Sequence, residues 1–313
     1  MYDIISIGSS IIDSFITSQA FIVKKSEDGV FLCQTYGEKI DVDEYIVRTG
    51  GGGSNTAVGF ARMGFRTAVV CELGKDVWAD FIIQELHKEF VATNLVITEK
   101  NEKTGGSIIL LGSDGDRTVM VHRGAAAHLD PKDIPAEHIG RAKWVHLSSI
   151  AGQKETLEFI LKTVGSSQTK LSWNPGNKEI ELLQTGAVAV ELLSSVSLLV
   201  LNKYEWEQLK PIRSKLLEQI PHIVVTYGKQ GGEIFINGQA HTKFLSKQLN
   251  PVDETGAGDS FIVGYISAQI KGKSIAESCN WGKRNAESVI NQVGAKPGLL
   301  TITQLESHNE THE

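Results

Sequence analysis

Short apolar runs alternate with longer stretches of helical periodicity through most of the chain. The apolar runs are typical of buried strands and occupy residues 3–8, 67–72, 144–148, 170–173, 198–201 and 223–226. Amphipathic stretches between several of them predict helices at residues 79–89, 155–164 and 205–218. Strands that are apolar on both faces belong to parallel sheets covered by helices. This order therefore predicts an α/β fold with a mostly parallel sheet.

Two segments have a different pattern, with short β-like runs broken by turn residues. The first covers residues 20–48, and the second covers residues 105–122 with a hairpin turn predicted at 113–116. They predict a small β structure beside the main sheet. We find no internal repeat, low-complexity tract or linker, so residues 1–313 are predicted to form a single domain.

Composition narrows the class of protein. The chain has 313 residues with 41% apolar and 22% charged residues, which is ordinary for a globular protein. Its net charge of −6 and dispersed basic residues argue against nucleic-acid binding, and no apolar run is long enough to span a membrane. Three separated cysteines (Cys33, Cys71 and Cys279) predict neither a disulfide framework nor a metal site. A soluble cytoplasmic protein is expected.

The strongest candidate for chemistry is the stretch from Asp253 to Phe261. Gly256, Ala257 and Gly258 carry almost no side chain, and an apolar run that predicts a helix follows them. The free N–H groups and positive dipole of a helix N-terminus favour an anion such as phosphate. Asp259 would stand beside that anion as a general base or metal ligand. The same residues would also suit a tight turn followed by an ordinary first-turn acid.

A glycine run, residues 50–53, is the second candidate. It permits close approach of a ligand to the backbone, and Ser54 is expected to cap a helix that follows. Asn55 offers a donor and an acceptor to sugar hydroxyls, and Asp13 follows the first strand, where parallel sheets bind ligands. Each residue alone would equally suit a helix start or a cap. Neither a Walker-type loop nor a dinucleotide fingerprint is present.

Taken together, these motifs resemble those of the ribokinase-like (PfkB) carbohydrate kinases. The glycine run with Asn55 and the segment 61–64 is similar to the N-terminal signature of that family. Residues 253–259, read Asp-Glu-Thr-Gly-Ala-Gly-Asp, match its C-terminal D-x-T-G-A-G-D signature. Between them, residues 202–205 match its N-x-x-E element, and residues 226–231 match its T-x-G-x-x-G loop.

The resemblance implies a three-layer α/β/α fold with a small β-sheet lid, formed by about residues 14–49 and 103–124. It also implies an ATP-dependent kinase that phosphorylates a hydroxyl of a sugar or related small molecule. Asp259 would be the general base, and the N–H groups of residues 256–258 would form the anion hole. The acceptor would be held by Asp13, Gly51, Gly52 and Asn55.

Further roles follow from the same resemblance. The nucleotide would be bound by Asn174, Asn202, Glu205, Thr226, Gly228, Gly231 and Asn285, with Lys283 as the alternative to Asn285 near adenine. Glu205 would hold Mg²⁺ through water, since Mg²⁺ keeps much of its hydration shell. Asp253 and Thr255 match the positions where some relatives bind a monovalent cation such as K⁺, whereas Gly298 replaces a hydroxyl residue. A homodimer joined through the lid is expected.

The acceptor stays open at this stage. Ribokinases proper carry a lysine where this chain has Gly52, which weakens a ribose assignment. A nucleoside kinase of the same family, or a non-catalytic sugar or nucleotide sensor on the same fold, are the alternatives. Arg123 could reach a charged acceptor or lie solvated on the lid. Residue types alone are consistent with each of these interpretations.

Overall fold

The computed structural model describes residues 1–98, 101–112, 117–247 and 249–307. Its strands are β1 (Ile4–Ile7), β2 (Ile11–Thr17), β3 (Ile22–Ser26), β4 (Gly29–Cys33), β5 (Glu44–Gly50), β6 (Thr67–Val70), β7 (Glu72–Leu73), β8 (Ile97–Thr98), β9 (Gly106–Leu111), β10 (Arg117–His122), β11 (Trp144–Leu147), β12 (Lys170–Trp173), β13 (Leu198–Asn202), β14 (His222–Thr226), β15 (Gly232–Ile236) and β16 (Gln239–Phe244). Its helices are α1 (Gly52–Arg62), α2 (Val77–Lys88), α3 (Ala136–Arg141), α4 (Lys154–Gly165), α5 (Asn177–Gln184), α6 (Lys203–Gln208), α7 (Arg213–Gln219), α8 (Ala257–Ile270), α9 (Ile275–Val289) and α10 (Ile302–Glu306).

The main sheet contains eight strands among the described residues, in the order β16-β15-β14-β13-β12-β11-β1-β6. The strands from β14 to β6 run parallel, and the antiparallel strands β15 and β16 close one edge. The predicted apolar strands are confirmed as this parallel core. Since parallel strands all end at one edge, their following loops meet there.

Alternate residues of the parallel strands are buried on opposite faces of the sheet. Ile5 and Val145 pack in one cluster with residues of α3 to α7, whereas Ile4 and Trp144 pack in another with residues of α1, α8 and α9. Residues 260–268 of α8 are all buried, which explains why this helix is apolar on every side. The molecule is therefore the three-layer α/β/α fold that the sequence predicts.

A second sheet of four described strands, in the order β10-β9-β2-β5, stands beside the main sheet, and β3 and β4 form a separate antiparallel hairpin. The segments predicted to be β-like supply most of this sheet, and β9 pairs with β10 antiparallel as predicted. The predicted turn at 113–116 lies outside the described residues. Strand β2 was not anticipated: the sheet begins at Ile11, and Asp13 lies within a strand rather than in a loop.

Two local predictions were wrong. The single helix expected at 205–218 is divided into α6 and α7 by a 3₁₀ turn, because Pro211 cannot donate a backbone hydrogen bond within a helix. Ser54 is not the N-cap of α1, which begins two residues earlier at Gly52. The Ser54 hydroxyl instead donates to the carbonyl of Gly50 at 2.7 Å. None of the described helices has the length and apolar character needed to cross a bilayer.

Candidate active site

Helix α8 begins at the Gly-Ala-Gly turn. Gly256 is its N-cap with φ of 78°, a left-handed conformation that a side chain would strain, and a Cβ there would lie 2.3 Å from Cβ of Ala295. The N–H of Ala257 makes a long 3.3 Å bond to the carbonyl of Glu254. Helix geometry leaves the next N–H groups, of Gly258 and Asp259, without a helical partner, so the start of α8 can receive an anion.

Asp259 is half-buried in the first turn of α8. It contacts Asn55, which follows the glycine run at residues 50–53. Its Oδ2 accepts a hydrogen bond from Nδ2 of Asn55 at 2.8 Å, across 204 positions of sequence. Burial raises the pKa of Asp259, the bond from Asn55 lowers it, and the nearby Asp13 carboxylate raises it further. Asn55 Oδ1 is buried without a partner among the described residues, so it can still accept from a ligand.

Asp13 joins this pair from the second sheet. It is buried, and its Oδ1 accepts from the hydroxyl of Ser107 on the adjacent strand β9 at 2.5 Å. Burial raises the pKa of Asp13, and the Ser107 bond and Lys296 oppose that shift. Its other oxygen rests against Gly50, where a Cβ would fall 1.8 Å from Oδ2. A glycine is therefore required beside this carboxylate.

The remaining acceptor candidates form the N-terminus of α1. Gly51 has φ of 94° and is packed so closely on Ser9 that a Cβ would lie 2.5 Å from its carbonyl oxygen. A Cβ at Gly52 would lie 2.7 Å from Oγ of Ser148 and 3.6 Å from Oδ1 of Asp259. The structure thus places Gly52, the first residue of α1, next to the carboxylate of Asp259. Only backbone atoms of α1 face this carboxylate at Gly52.

The predicted nucleotide residues stand at the ends of neighbouring parallel strands. Asn174 follows β12 and donates to the carbonyl of Val200 at 2.9 Å. Asn202, exposed at the end of β13, forms a capping box with Glu205, whose Oε2 accepts from the Asn202 N–H at 2.7 Å. Thr226 ends β14. Burial raises the pKa of Glu205, and the Asn202 bond opposes it.

Two further residues of the predicted nucleotide site lie in the loop after β14. Gly228 and Gly231 both have positive φ, of 56° and 89°. Asn285, by contrast, is not exposed at the carboxyl edge of the sheet. It is 0% exposed; its Nδ2 donates to the carbonyl of Ser260 and its Oδ1 accepts from the N–H of Leu300. Its amide ties α8 to α9 and the following segment, so we do not include it among the nucleotide contacts.

Asp253 and Thr255, the predicted cation ligands, form hydrogen bonds within the loops around α8 and α9. Oδ1 of Asp253 accepts from the N–H and the hydroxyl of Thr255, at 2.9 Å and 2.7 Å. Its Oδ2 accepts from the N–H of Gly294 at 2.9 Å. Both oxygens are thus engaged by protein donors, and Asp253 joins the turn before α8 to the loop after α9.

Three residues near the site were not anticipated from the sequence: Ser107, Ser148 and Lys296. Ser107 is an inward-facing residue of β9, and period-2 alternation with its buried neighbour Ile109 could have suggested it. Ser148 follows β11 at the carboxyl edge, which strand ends alone could have suggested. Lys296 has no motif around it, and only tertiary packing reveals it.

The fold and this edge define a class of protein. A parallel sheet whose carboxyl edge combines a glycine-rich helix start, a half-buried carboxylate and exposed strand ends suits a small-molecule phosphotransferase. Residues 1–302 match the family model described as pfkB family carbohydrate kinase. The chain belongs to this family and is an ATP-dependent carbohydrate kinase, as the sequence predicts.

Individual relatives agree with this assignment. A ribokinase of Staphylococcus aureus is 24% identical over 96% of this chain and 98% of its own length. The crystal structure of a nucleoside kinase from Methanocaldococcus jannaschii superposes with a TM-score of 0.81 at 21% identity, covering 99% of both chains. An Arabidopsis thaliana ribokinase complexed with ribose and ATP superposes with a TM-score of 0.77 at 22% identity, covering 98% of both. These two structural likenesses concern the ribokinase fold.

Proposed function

We propose that this protein transfers the γ-phosphoryl group of ATP to a hydroxyl of a sugar or a nucleoside. The observation that carries the proposal is the convergence of Asp259, Asn55 and Asp13 beside the start of α8. Two carboxylates and an amide with a free acceptor oxygen suit an acceptor rich in hydroxyls. The relatives named above, which include both sugar and nucleoside kinases, support the two acceptor classes.

Asp259 is assigned as the general base. It takes the proton of the acceptor hydroxyl as that oxygen attacks the γ-phosphorus, while the bond to the bridging oxygen breaks and ADP leaves. The turn at residues 256–258 faces the charge of the transferred phosphoryl group, and the N–H of Gly258 has no helical partner that would compete for it. Asn55 orients the base through its 2.8 Å bond and presents its Oδ1 to an acceptor hydroxyl. Asp13 accepts from further hydroxyls.

ATP is proposed to lie along the strand ends at Asn174, Asn202, Thr226, Gly228 and Gly231. Mg²⁺ would neutralise the phosphates there. The described residues contain no cluster of three or more His, Cys, Asp or Glu that could hold a metal. That fits Mg²⁺, which often binds through water and substrate phosphates rather than in a protein cage. Glu205, with one oxygen used in its capping box, would hold such a water.

The loop that contains Asp253 and Thr255 suits K⁺ less well than the strand ends suit Mg²⁺. Both oxygens of Asp253 are engaged by N–H and hydroxyl donors, and Gly298 adds no side-chain oxygen. We therefore assign Asp253 and Thr255 to the turn that shapes the anion site. Exchanging K⁺ for an inert organic cation at constant ionic strength should leave kcat unchanged, and strict K⁺ dependence would contradict this assignment.

The second sheet, with the segments 14–49 and 103–124, is proposed to act as the lid over the acceptor. Its outer face also suits a second copy of the chain. Tyr45, Ile108 and Met120 are 60%, 42% and 49% exposed, and Met120 is paired directly with Ile108. Exposed apolar residues on a sheet face favour association. Light scattering should give the mass of a homodimer, and Ile108→Lys should shift it toward the monomer.

An acceptor panel tests the function. The purified protein with ATP and Mg²⁺ is incubated with ribose, fructose, 2-keto-3-deoxygluconate and adenosine, and ADP release and the phosphorylated product are measured. Turnover on one acceptor well above the rest identifies the substrate and the class. Thermal stabilisation by an acceptor without turnover would instead favour the non-catalytic sensor.

A further inference from the structure

Lys296 is a buried lysine that no motif or assigned role accounts for. It is 3% exposed, and its Nζ donates to Oγ1 of Thr49 at 2.5 Å and to Oε2 of Glu85 at 3.1 Å. Its own carbonyl accepts from Nη1 of Arg62 at 2.9 Å, which fixes the backbone as well. Lysine is almost never fully buried unless it is paired, because removing an ammonium from water is costly.

A short path leads from the ammonium to the acceptor site. Thr49 immediately precedes Gly50 in β5, and the Cα of Gly50 rests against the Asp13 carboxylate, where even a methyl group would overlap Oδ2. The β5–β2 ladder pairs Thr49 with Ile12, the neighbour of Asp13. The bond from Lys296 to Thr49 therefore fixes the piece of strand that forms the wall behind Asp13.

The charges of the site point to the same residue. The Asp13 carboxylate raises the pKa of Asp259, and the Asp253 carboxylate raises the pKa of Asp13, whereas Lys296 lowers the pKa of both Asp13 and Asp259. Burial lowers the pKa of Lys296 itself, and Glu85 raises it through its charge and its hydrogen bond. The charged or titratable groups that act on Lys296 or respond to it come from several elements: Asp13, Cys71, Glu85, Glu89 and Asp259.

We infer that Lys296 is a positioning residue of the acceptor site, whose fixed ammonium supports the β5 wall and balances the negative charges of Asp13 and Asp259. The inference rests on the proposed function, in which Asp259 must be ionised to accept a proton while Asp13 accepts hydrogen bonds. Two carboxylates in one pocket resist simultaneous ionisation unless a cation is near. A tethered ammonium supplies that cation permanently.

The test is a pH profile of two matched variants. Lys296→Met keeps a chain of similar volume and removes the charge, so the acidic limb of kcat/KM for the acceptor should move up by about one pH unit. The acceptor KM should rise while the KM for ATP stays unchanged. Glu85→Gln keeps the ammonium and removes its negative partner, so the acidic limb should move in the opposite direction.

A purely structural role of Lys296 would change stability and kcat without moving the acidic limb of the pH profile in either variant. That result would overturn the inference. Glu85 is partly exposed, with 31% of its side chain accessible, so its variant provides the test even where Lys296→Met does not fold. Carboxyl ¹³C NMR titration of Asp13 and Asp259 in the ligand-free protein provides a readout that needs no turnover. Absence of kinase activity in the unmodified enzyme would refute the proposed function, whereas an unchanged carboxyl titration in both variants would refute the role of Lys296.

Discussion

The proposed acceptor end and the proposed nucleotide end of the site are built in different ways. At the acceptor end, Asp13 and Asn55 are buried, and the contact between Asn55 and Asp259 joins residues from distant parts of the sequence. At the nucleotide end, Asn202 is exposed, and its bonds to Tyr204 and Glu205 span two and three residues. One end depends on tertiary packing, and the other depends on local caps at strand ends.

This difference has a functional meaning. A buried site with fixed partners can align one hydroxyl with its base, because preorganised groups need little rearrangement at the moment of reaction. An exposed rim of caps and glycines suits the long, solvated triphosphate that most kinases share. We therefore expect substitutions at the acceptor end to affect catalysis and acceptor binding, and substitutions at the nucleotide end to affect ATP binding alone.

The largest effect is expected for Asp259→Asn. The amide keeps the shape of the side chain and cannot take the proton, so kcat should fall by about 10² or more. Steady-state rates with the best acceptor from the panel measure this. A variant within tenfold of the unmodified rate would exclude Asp259 as the base.

Asp13→Asn should have the next largest effect. Loss of a charged hydrogen-bond acceptor costs about 1.5–3 kcal/mol, so kcat/KM for the acceptor should fall by about 10- to 100-fold. Ser107→Ala is the matched control, because it removes the 2.5 Å bond to Asp13 and keeps the carboxylate. It should weaken acceptor kinetics less. An equal rise in the KM for ATP in Asp13→Asn would contradict the division between the two ends.

A smaller effect is expected for Asn202→Ala. Loss of its cap should raise the KM for ATP by about fivefold, the equivalent of a cap worth about 1 kcal/mol, and leave the acceptor KM unchanged. Ser274→Ala is the control, since Ser274 caps α9 by the same kind of capping box. It should lower stability similarly and leave both KM values alone. Matching kinetics in the two variants would refute a nucleotide role for Asn202.

The smallest effect concerns stability against pH. Burial raises the pKa of Asp259, so its contribution to stability is present in acid and is lost as the pH rises through the folded pKa. Asp259→Asn should therefore raise Tm at pH 7, by about 2 °C per kcal/mol, and the difference should vanish below about pH 4.

Asp3, whose pKa is lowered by its hydrogen bond from Arg66, provides the opposite case. Asp3→Asn should lower Tm at pH 7, and a shared direction in the two variants would contradict this account.

The main sheet could be predicted because its strands are apolar on both faces, a pattern that few other structures produce. Strand β2 could not be predicted, since Asp13 and Ser14 interrupt its apolar residues at Ile11 and Ile12. Pro211 could have predicted the break between α6 and α7. The amphipathic pattern continues on both sides of this proline, so a single helix was predicted instead. Local pattern gives an element its type, whereas packing decides its limits.

The same contrast applies to the site. Asp259 and the glycine runs could be found because their motifs are local and match a family signature. Asn285 was one of two candidates for the adenine contact, with Lys283, because of its place in the chain. Its burial between α8 and α9 depends on contacts that no motif encodes. A role for Lys296 was not predicted for the same reason, because its partners Thr49 and Glu85 lie more than two hundred residues away in sequence.

ATP affinity of the Asp259→Asn enzyme is the most direct test of the central claim, that Asp259 acts on the acceptor as a base and belongs to the acceptor end. Calorimetry with Mg²⁺ and ATP measures the Kd of this variant beside the unmodified enzyme. We predict equal Kd values in an enzyme that has lost turnover. A tenfold weaker Kd would contradict the claim and place Asp259 among the groups that hold the nucleotide or its metal.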